Sequence, residues 1–402
     1  MAELSALRQF RPGHPDAAAS LLTRGADASP GGSAASPHRV YARVDAAAVA
    51  HNLACLRGLM QAAGSAPRIW ATVKTDAYGH GVARVLAGLA DADGLAVAQL
   101  GDAQACRKAG WSGPVLVYGG LLDTDDVRDL SMPGLHLVIS QPGQLDRLEQ
   151  ENALPFPLSL WLRYAGDLGM NGFDELAYLD AYRRCQALVE RGMVTMVGHF
   201  QHYGQGEDPA SVARANTRFD ALTGGLAGPR SAGNSASIVH PAAARIAMDW
   251  VRPGLALYGA SPLPGIDGSA LGLRAAMSLH SRLCSVRDVA AGDRIGYGGA
   301  FVAPRAMRVG LVACGYGDGY PRHAPAGTPV NVGGVRVESL GVVTMDSLLV
   351  DLGAAPDAEV GTPVTLWGSE DLPVEAVARH VGTIAAALLT SLTPRVVFVD
   401  AY

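Results

Sequence analysis

The stretch IWATVKTDAYGHGVARVLAGLADADGLAVAQLGDAQACRKAG (69–110) decides how this chain folds. It opens on an apolar run, IWATVK (69–74), enters a helix-like segment, GHGVARVLAGLADA (79–92), returns to LAVA (95–98) and passes into GDAQACRKAG (101–110). In the longer segments apolar residues recur three and four apart, as on one face of a helix; the short continuous apolar runs suit buried strands. A strand whose following helix leads back to the next strand is the repeating unit of a parallel sheet.

The alternation continues outward from there. PVLVYG (114–119), HLVIS (136–140), LSLWLR (158–163), VTMVGHF (194–200), RSAGN (230–234) and PGLALYG (253–259) read as further strands. FDELAYLDAYRRCQALVERG (173–192) and DPASVARANTRFDALTGGL (208–226) read as helices between them. Eight such strands predict an α/β fold, a (β/α)8 TIM barrel over residues 39–275, with an open doubly wound sheet as its rival. Beyond residue 275 helical spacing fades. RVGLVACGYGDGY (308–320), TPVNVGGVRVESLGVVTMDSLLVDLG (328–353) and TPVTLWG (362–368) predict a mostly-β C-terminal domain over 276–402. Within it Gly333 and Gly334 form the turn of a hairpin. Residues 1–38, rich in Ala, Pro, Gly and Ser, read as a disordered N-terminal extension.

Composition excludes several classes. The 402 residues are 49% hydrophobic and 17% charged, with 32 basic against 37 acidic residues. No basic tract suits nucleic acid, and no apolar run reaches membrane-spanning length. The five cysteines are scattered with no CxxC pair, which predicts neither a disulfide framework nor a metal site. The opening MAELSALRQFRPGH lacks the charge-then-apolar pattern of a signal peptide, so the expected compartment is the reducing cytoplasm. Among the 32 basic residues only Lys74 and Lys108 are lysines. A chain built almost wholly on arginine keeps lysine where a deprotonated amine is needed, because arginine does not give up its proton.

Barrel enzymes carry their chemistry at the carboxyl ends of the strands. That rule collects Lys74, Arg163, His199, Asn234 and Ser235, and the glycine-containing stretch after Arg252. A nucleophilic amine, a histidine, arginines and a Ser/Gly-rich loop suit a phosphorylated carbonyl cofactor, and pyridoxal 5'-phosphate meets that description.

These residues also carry a family resemblance. VKTDAYGHG (73–81) resembles the cofactor-lysine motif of the alanine racemase family. In collinear order DGLAVAQLGDAQACRKAG (93–110), GHF (198–200), GNSAS (233–237), VRPGLALYGASP (251–262), RIGYGGAF (294–301), GYGDGYPR (315–322) and TMDSLLVDLG (344–353) resemble its other motifs. The resemblance implies a pyridoxal-phosphate-dependent isomerase that interconverts L- and D-alanine by two bases, for cell-wall peptidoglycan or alanine catabolism. It implies that Lys74 bonds to the cofactor aldehyde and acts as one base, and that Tyr297, from the partner subunit, acts as the other. Tyr78, Ser235, Gly254 and Leu255 would hold the phosphate beside Asn234, His199 would hold Arg252, and Arg252 would face the pyridine nitrogen. Tyr316, Met345 and Asp346 would come from the partner to bind substrate, so the implied unit is a head-to-tail homodimer with shared active sites.

The match breaks at LWLRYAGDLGMNGF (160–173), where the family pattern runs Lys-x-Asp-x-Gly-Met-x-Arg-Leu-Gly-Phe. Aligned on DLGMN, the Arg-Leu pair before Gly172 is missing; aligned without gaps, Arg163 falls on the often carbamylated lysine and Met170 on the arginine. Either way the arginine that the resemblance places on the cofactor's phenolic oxygen and the substrate carboxylate is absent, and Arg163 is the candidate substitute charge for binding substrate. Val342 and Pro394 also depart from the pattern. Racemisation of other amino acids such as serine, a decarboxylase or aldolase on the same barrel, and a cofactor-holding protein are the rival readings.

Overall fold

The computed structural model describes residues 38–121, 130–240 and 248–401. The predicted extension over 1–38 lies, except for His38, outside the described residues. The first strand, β1 (Tyr41–Val44), runs antiparallel to a strand beyond residue 276 and parallel to the last strand of the chain. The expected barrel span of 39–275 therefore begins with four residues that belong to the other domain's sheet. A strand that pairs across more than 230 residues leaves no local trace in the sequence, because its register is set by partners and not by neighbours.

The barrel follows. Its strands are β2 (Arg68–Thr72), β3 (Gly94–Val97), β4 (Val115–Val117), β5 (Leu135–Ile139), β6 (Leu158–Arg163), β7 (Val194–Phe200), β8 (Arg230–Asn234) and β9 (Trp250–Arg252). Each pairs in parallel with the next, and β9 closes onto β2 through Arg68 with Trp250 and Ile69 with Val251. The expected eighth strand, 253–259, is a correction: Leu255–Tyr258 is a 3-10 turn, and the strand is the three-residue Trp250–Arg252 before it. Pro253 offers no backbone N–H for a ladder, and Gly259 takes a positive φ of 83° that ends the segment.

Helices cover the barrel. Ala46–Ala62, Glu175–Glu190 and Pro209–Thr223 each start from an aspartate, Asp45, Asp174 or Asp208, whose carboxylate accepts from the first free N–H groups. Inside the barrel Trp70, Ala96, Leu116, Val138, Trp161, Phe200 and Trp250 form their own core. Trp70 stacks on Trp250 at 4.2 Å, and a side chain at Gly94 would collide with the Trp70 ring. These rings fill the middle of the barrel, between a cavity of about 1110 Å³ at the amino ends of the strands, lined by Arg68, His136, Ser159, Met196 and Trp250, and the carboxyl ends.

The second domain uses β10 (Met277–Val289), β11 (Arg294–Ile295), β12 (Phe301–Val302), β13 (Met307–Val312), β14 (Pro329–Val332), β15 (Val335–Leu340), β16 (Leu348–Asp351), β17 (Pro363–Trp367) and β18 (Val397–Asp400). The long β10 shifts register near Leu283, pairing β17 with its first half and β13 with its second. The sheet order β13-β16-β15-β14-β17-β10 therefore closes on itself, with β1 and β18 as a flange. The β14–β15 hairpin turns at Gly333 and Gly334, both at positive φ, as the sequence predicts. Two helices, Val374–Val381 and Ala385–Thr390, complete the domain. Buried Glu375 accepts N–H groups from Ser261 and Gly268, so a helix of one domain caps a loop of the other.

Candidate active site

At the carboxyl ends of the barrel strands lies a cavity of about 370 Å³ lined by Lys74, Tyr78, Arg163, Asn234, Ser235, Arg252, Gly254 and Leu255. Eight of the residues picked out in the sequence are therefore brought together. Thr72, Tyr118, Phe200, His202, Ala236 and Pro262 complete the walls, and no carboxylate is among the lining residues.

Lys74 begins an unusual turn. Thr75, Asp76, Ala77 and Tyr78 all lie in the left-handed region, at φ between 49° and 58°. For L-residues this costs roughly 1–2 kcal/mol each, so the surroundings must hold it. Ala77 N–H donates to Val73, Gly79 N–H to Thr75, and the Asp76 carboxylate accepts Val82 N–H at 2.7 Å. His80, fully buried, directs Nδ1 at the Ala77 and Tyr78 carbonyls, both at 3.0 Å. Burial lowers the His80 pKa to about 4, so the ring is neutral and its Nδ1–H is the donor. Tyr258 packs on both Tyr78 and His80 and donates its hydroxyl to Thr72 O. The result presents Lys74 and Tyr78 to one cavity on a braced turn. Burial pushes the Tyr78 hydroxyl up from its ordinary range, with Tyr118 adding to the effect, so it stays a donor.

Opposite this turn, Ser235 Oγ accepts N–H groups from Gly254 at 2.9 Å and Ala256 at 3.2 Å. With both lone pairs engaged, the Ser235 hydroxyl has its proton to donate. Asn234 caps the Ser235–Val239 turn through Ser237 N–H. Gly254 has no room for a side chain, because a Cβ would land on Tyr78 Oη. Tyr78, Ser235 and Gly254 form a polar cradle that any larger residue at 254 would fill.

Arg252 is the most buried charge of the cavity, 3% exposed. Its guanidinium donates to Ser231 Oγ at 2.6 Å, Gln201 O at 2.5 Å and His202 Nδ1 at 3.4 Å. It lies flat on Phe200, 3.8 Å from the ring centre. Burial lowers its pKa to about 10, which leaves it charged at neutral pH. His202 is the neutral partner: burial, then Arg252, Arg163 and Lys74, lower its pKa to about 3.

His199 needs correcting. It does not hold Arg252 and does not line the cavity. Its Nδ1 meets Tyr178 Oη at 2.8 Å, its Nε2 donates to Ala227 O at 3.2 Å, and its ring stacks on Tyr182 in the helical layer. Neighbours on a strand face opposite sides, so with Phe200 inside the barrel His199 must point out. His202 takes the place assigned to it. Tyr118 is a second omission, although it follows directly on β4, where the strand-end rule would have found it.

Tyr297, Tyr316, Met345 and Asp346 do not line the cavity. Tyr297 is 80% exposed, Met345 52% and Tyr316 39%. The loops holding the last three are joined: Tyr316 N–H donates to Thr344 O, and Gly317 N–H to Met345 O at 2.9 Å. Arg395 ties Asp346 at 2.6 Å to the buried Asp318 at 3.3 Å, and Arg39 reaches the same Asp318 at 2.9 Å. These apolar side chains are held outward on a rigid frame.

The profile described as "Alanine racemase, N-terminal domain" matches residues 44–262, and "Alanine racemase, C-terminal domain" matches 276–399. This chain belongs to the alanine racemase family. An alanine racemase of Bordetella petrii is 44% identical over 374 residues, covering 90% of this chain and 98% of the relative. One of Cupriavidus necator is 43% identical over 368 residues, covering 90% and 95%. The crystal structure of the biosynthetic alanine racemase from Pseudomonas aeruginosa superposes with a TM-score of 0.83 at 37% identity, over 91% of this chain and all of that one. Membership makes the protein an isomerase built as a barrel followed by a β domain. Among the described residues no helix is long and apolar enough to cross a membrane.

Proposed function

We propose that this member of the family interconverts L- and D-alanine with pyridoxal 5'-phosphate, each active site being shared by two copies of the chain in a head-to-tail homodimer. The observation that carries the cofactor reading is the cavity's charge. Lys74, Arg163 and Arg252 line it with no carboxylate, and Arg163 Nε is buried without a partner, so the site suits an anionic ligand. The cradle of Tyr78, Ser235 and Gly254 suits a phosphate, whose oxygens accept from the two hydroxyls while the missing side chain at Gly254 leaves room.

When bound, pyridoxal phosphate supplies an aldehyde for a primary amine and an electron-accepting ring that stabilises negative charge on the substrate α-carbon. The protein does the rest. Tyr78 and Ser235 hold the phosphate with O–H donors beside Asn234, Gly254 and Leu255. Arg252, already protonated and with no acceptor atom, donates toward the ring nitrogen and cannot take a proton from it. That weakens the electron sink and limits side reactions such as transamination. Lys74 holds or returns a proton at one face of the α-carbon. A proton at the other face needs a second group, and Tyr297, four-fifths exposed on its own chain, serves the cavity of the partner. Tyr316, Met345 and Asp346 accompany it to line the entrance and position the substrate carboxylate. The five cysteines are all free, which supports the reducing cytoplasm as the compartment. The product D-alanine suits cell-wall synthesis, or the reaction run in reverse suits alanine catabolism.

The test is racemisation of L- and D-alanine, with serine alongside, by the purified cofactor-loaded protein and Lys74→Ala. Alanine turnover in both directions, reduced on the order of 10³–10⁴-fold by the substitution, is expected. Cofactor bound through Lys74 with turnover of serine but none of alanine would overturn the substrate.

A further inference from the structure

Arg252 and Arg163 face the same aromatic ring, with guanidinium carbons 3.8 and 5.6 Å from the centre of Phe200, yet their circumstances differ. Arg252 is anchored by Ser231, Gln201 and His202. Arg163 makes no hydrogen bond or ion pair through its guanidinium among the described residues, and its Nε is buried without an acceptor. A buried guanidinium N–H left unpaired is a cost that a folded protein retains where a ligand supplies the missing oxygen.

The order of strands around the barrel says which oxygen. Lys74 follows β2, and the cradle residues Ser235 and Gly254 follow β8 and β9, its neighbours on one side. Arg163 ends β6, across the barrel from β2, and Tyr118 follows β4 between them on the other side. On the pyridoxal ring the carbon bearing the aldehyde is flanked by the phosphate arm on one side and the phenolic oxygen on the other. With the phosphate at β8 and β9 and the aldehyde at Lys74, the phenolic oxygen turns toward the β4 and β6 side. The position where the family carries its arginine is Met170 here, 80% exposed and outside the cavity.

We propose that Arg163 is the residue that holds the anionic ring oxygen of the cofactor in this chain. The assignment rests on the reading of the cavity as a pyridoxal phosphate site. Arg163→Gln keeps a polar side chain and removes the charge; Arg163→Lys keeps the charge and removes the planar fork. Cofactor retention on dialysis, and the pH at which the visible absorption band of the bound cofactor changes, are measured on the wild-type holoenzyme and both variants without substrate. KM for alanine is measured beside them, and the melting of the cofactor-free proteins checks folding. The expected result is about ten-fold weaker retention and a displaced pH profile in Arg163→Gln, partly restored in Arg163→Lys, with similar melting of the cofactor-free proteins. Unchanged retention and pH profile would overturn the proposal. So would a rise in KM alone, which moves Arg163 to the substrate carboxylate. A wild-type protein that takes up no pyridoxal phosphate would overturn the site reading itself, a result distinct from either of these.

Discussion

The barrel mouth and the outer face of the β domain are built on opposite terms. In the mouth, Arg252 is buried and Tyr78 partly buried, while Lys74 stands on a braced left-handed turn with its amine toward the cavity. Its charged lining residues are all cations: Lys74, Arg163 and Arg252. On the β domain, Tyr297, Tyr316 and Met345 are exposed, and the loops of the last two are stapled by the Asp318–Arg395–Asp346 network. Rigid loops that hold large apolar groups in solvent make sense when another surface covers them. On the function proposed above, the difference reads as two halves of one shared site, the barrel mouth of one copy meeting the exposed tyrosine of another.

The comparison breaks most visibly at Tyr297. If the exposed tyrosine serves the partner's cavity, Tyr297→Phe lowers kcat on the order of 10²–10⁴-fold, mainly from the L-side, while cofactor retention stays that of the wild type. Steady-state rates in both directions, with cofactor content measured on the same samples, check it. A smaller effect belongs to the mouth alone. Gly254→Ala places a methyl group on Tyr78 Oη, and overpacking of about 1–3 kcal/mol corresponds to roughly 5- to 150-fold loss of cofactor affinity. Equilibrium dialysis reads it, and the oligomeric state should not change.

The smallest effect separates the regions by acidity. His80, His136 and His280 have pKa values lowered to about 4 and His202 to about 3, each by burial first. A group lowered from 6.5 is neutral in the folded chain and protonated in the unfolded one between these values. Its stabilisation is whole above about pH 6.5 and is lost as pH falls toward 4 or 3. Three of these histidines lie in the barrel and His280 alone in the β sheet. Urea midpoints should therefore fall steadily over that window, and fluorescence of the barrel tryptophans should report the loss. A midpoint indifferent to pH there would contradict it.

The sequence carried much of the fold because barrel strands are buried on both faces. Seven of the eight expected runs, LSLWLR and VTMVGHF among them, lie on observed strands, since continuous apolar character is a local property. The eighth failed where Trp250–Arg252 is only three residues long and the more apolar 253–259 follows it. β1 failed because its partners are remote. In the site, Lys74, Ser235, Arg252 and Gly254 were legible from strand ends and motif order. His199 and His202 were exchanged, since a strand's inward face is decided by packing that Phe200 reveals only in three dimensions. The left-handed turn from Thr75 to Tyr78 was not legible at all: none of its four residues is a glycine, and only the surrounding bonds hold it.

Mixing two defective proteins tests the shared site most directly. Lys74→Ala keeps Tyr297, and Tyr297→Phe keeps Lys74, so each homodimer has two broken sites. A mixed dimer from unfolded and refolded chains has one site with both groups intact. With random pairing half the dimers are mixed, and activity should return to about a quarter of the wild type. Verified mixed dimers with no more activity than the separate variants would contradict the account, and would place both bases on one chain.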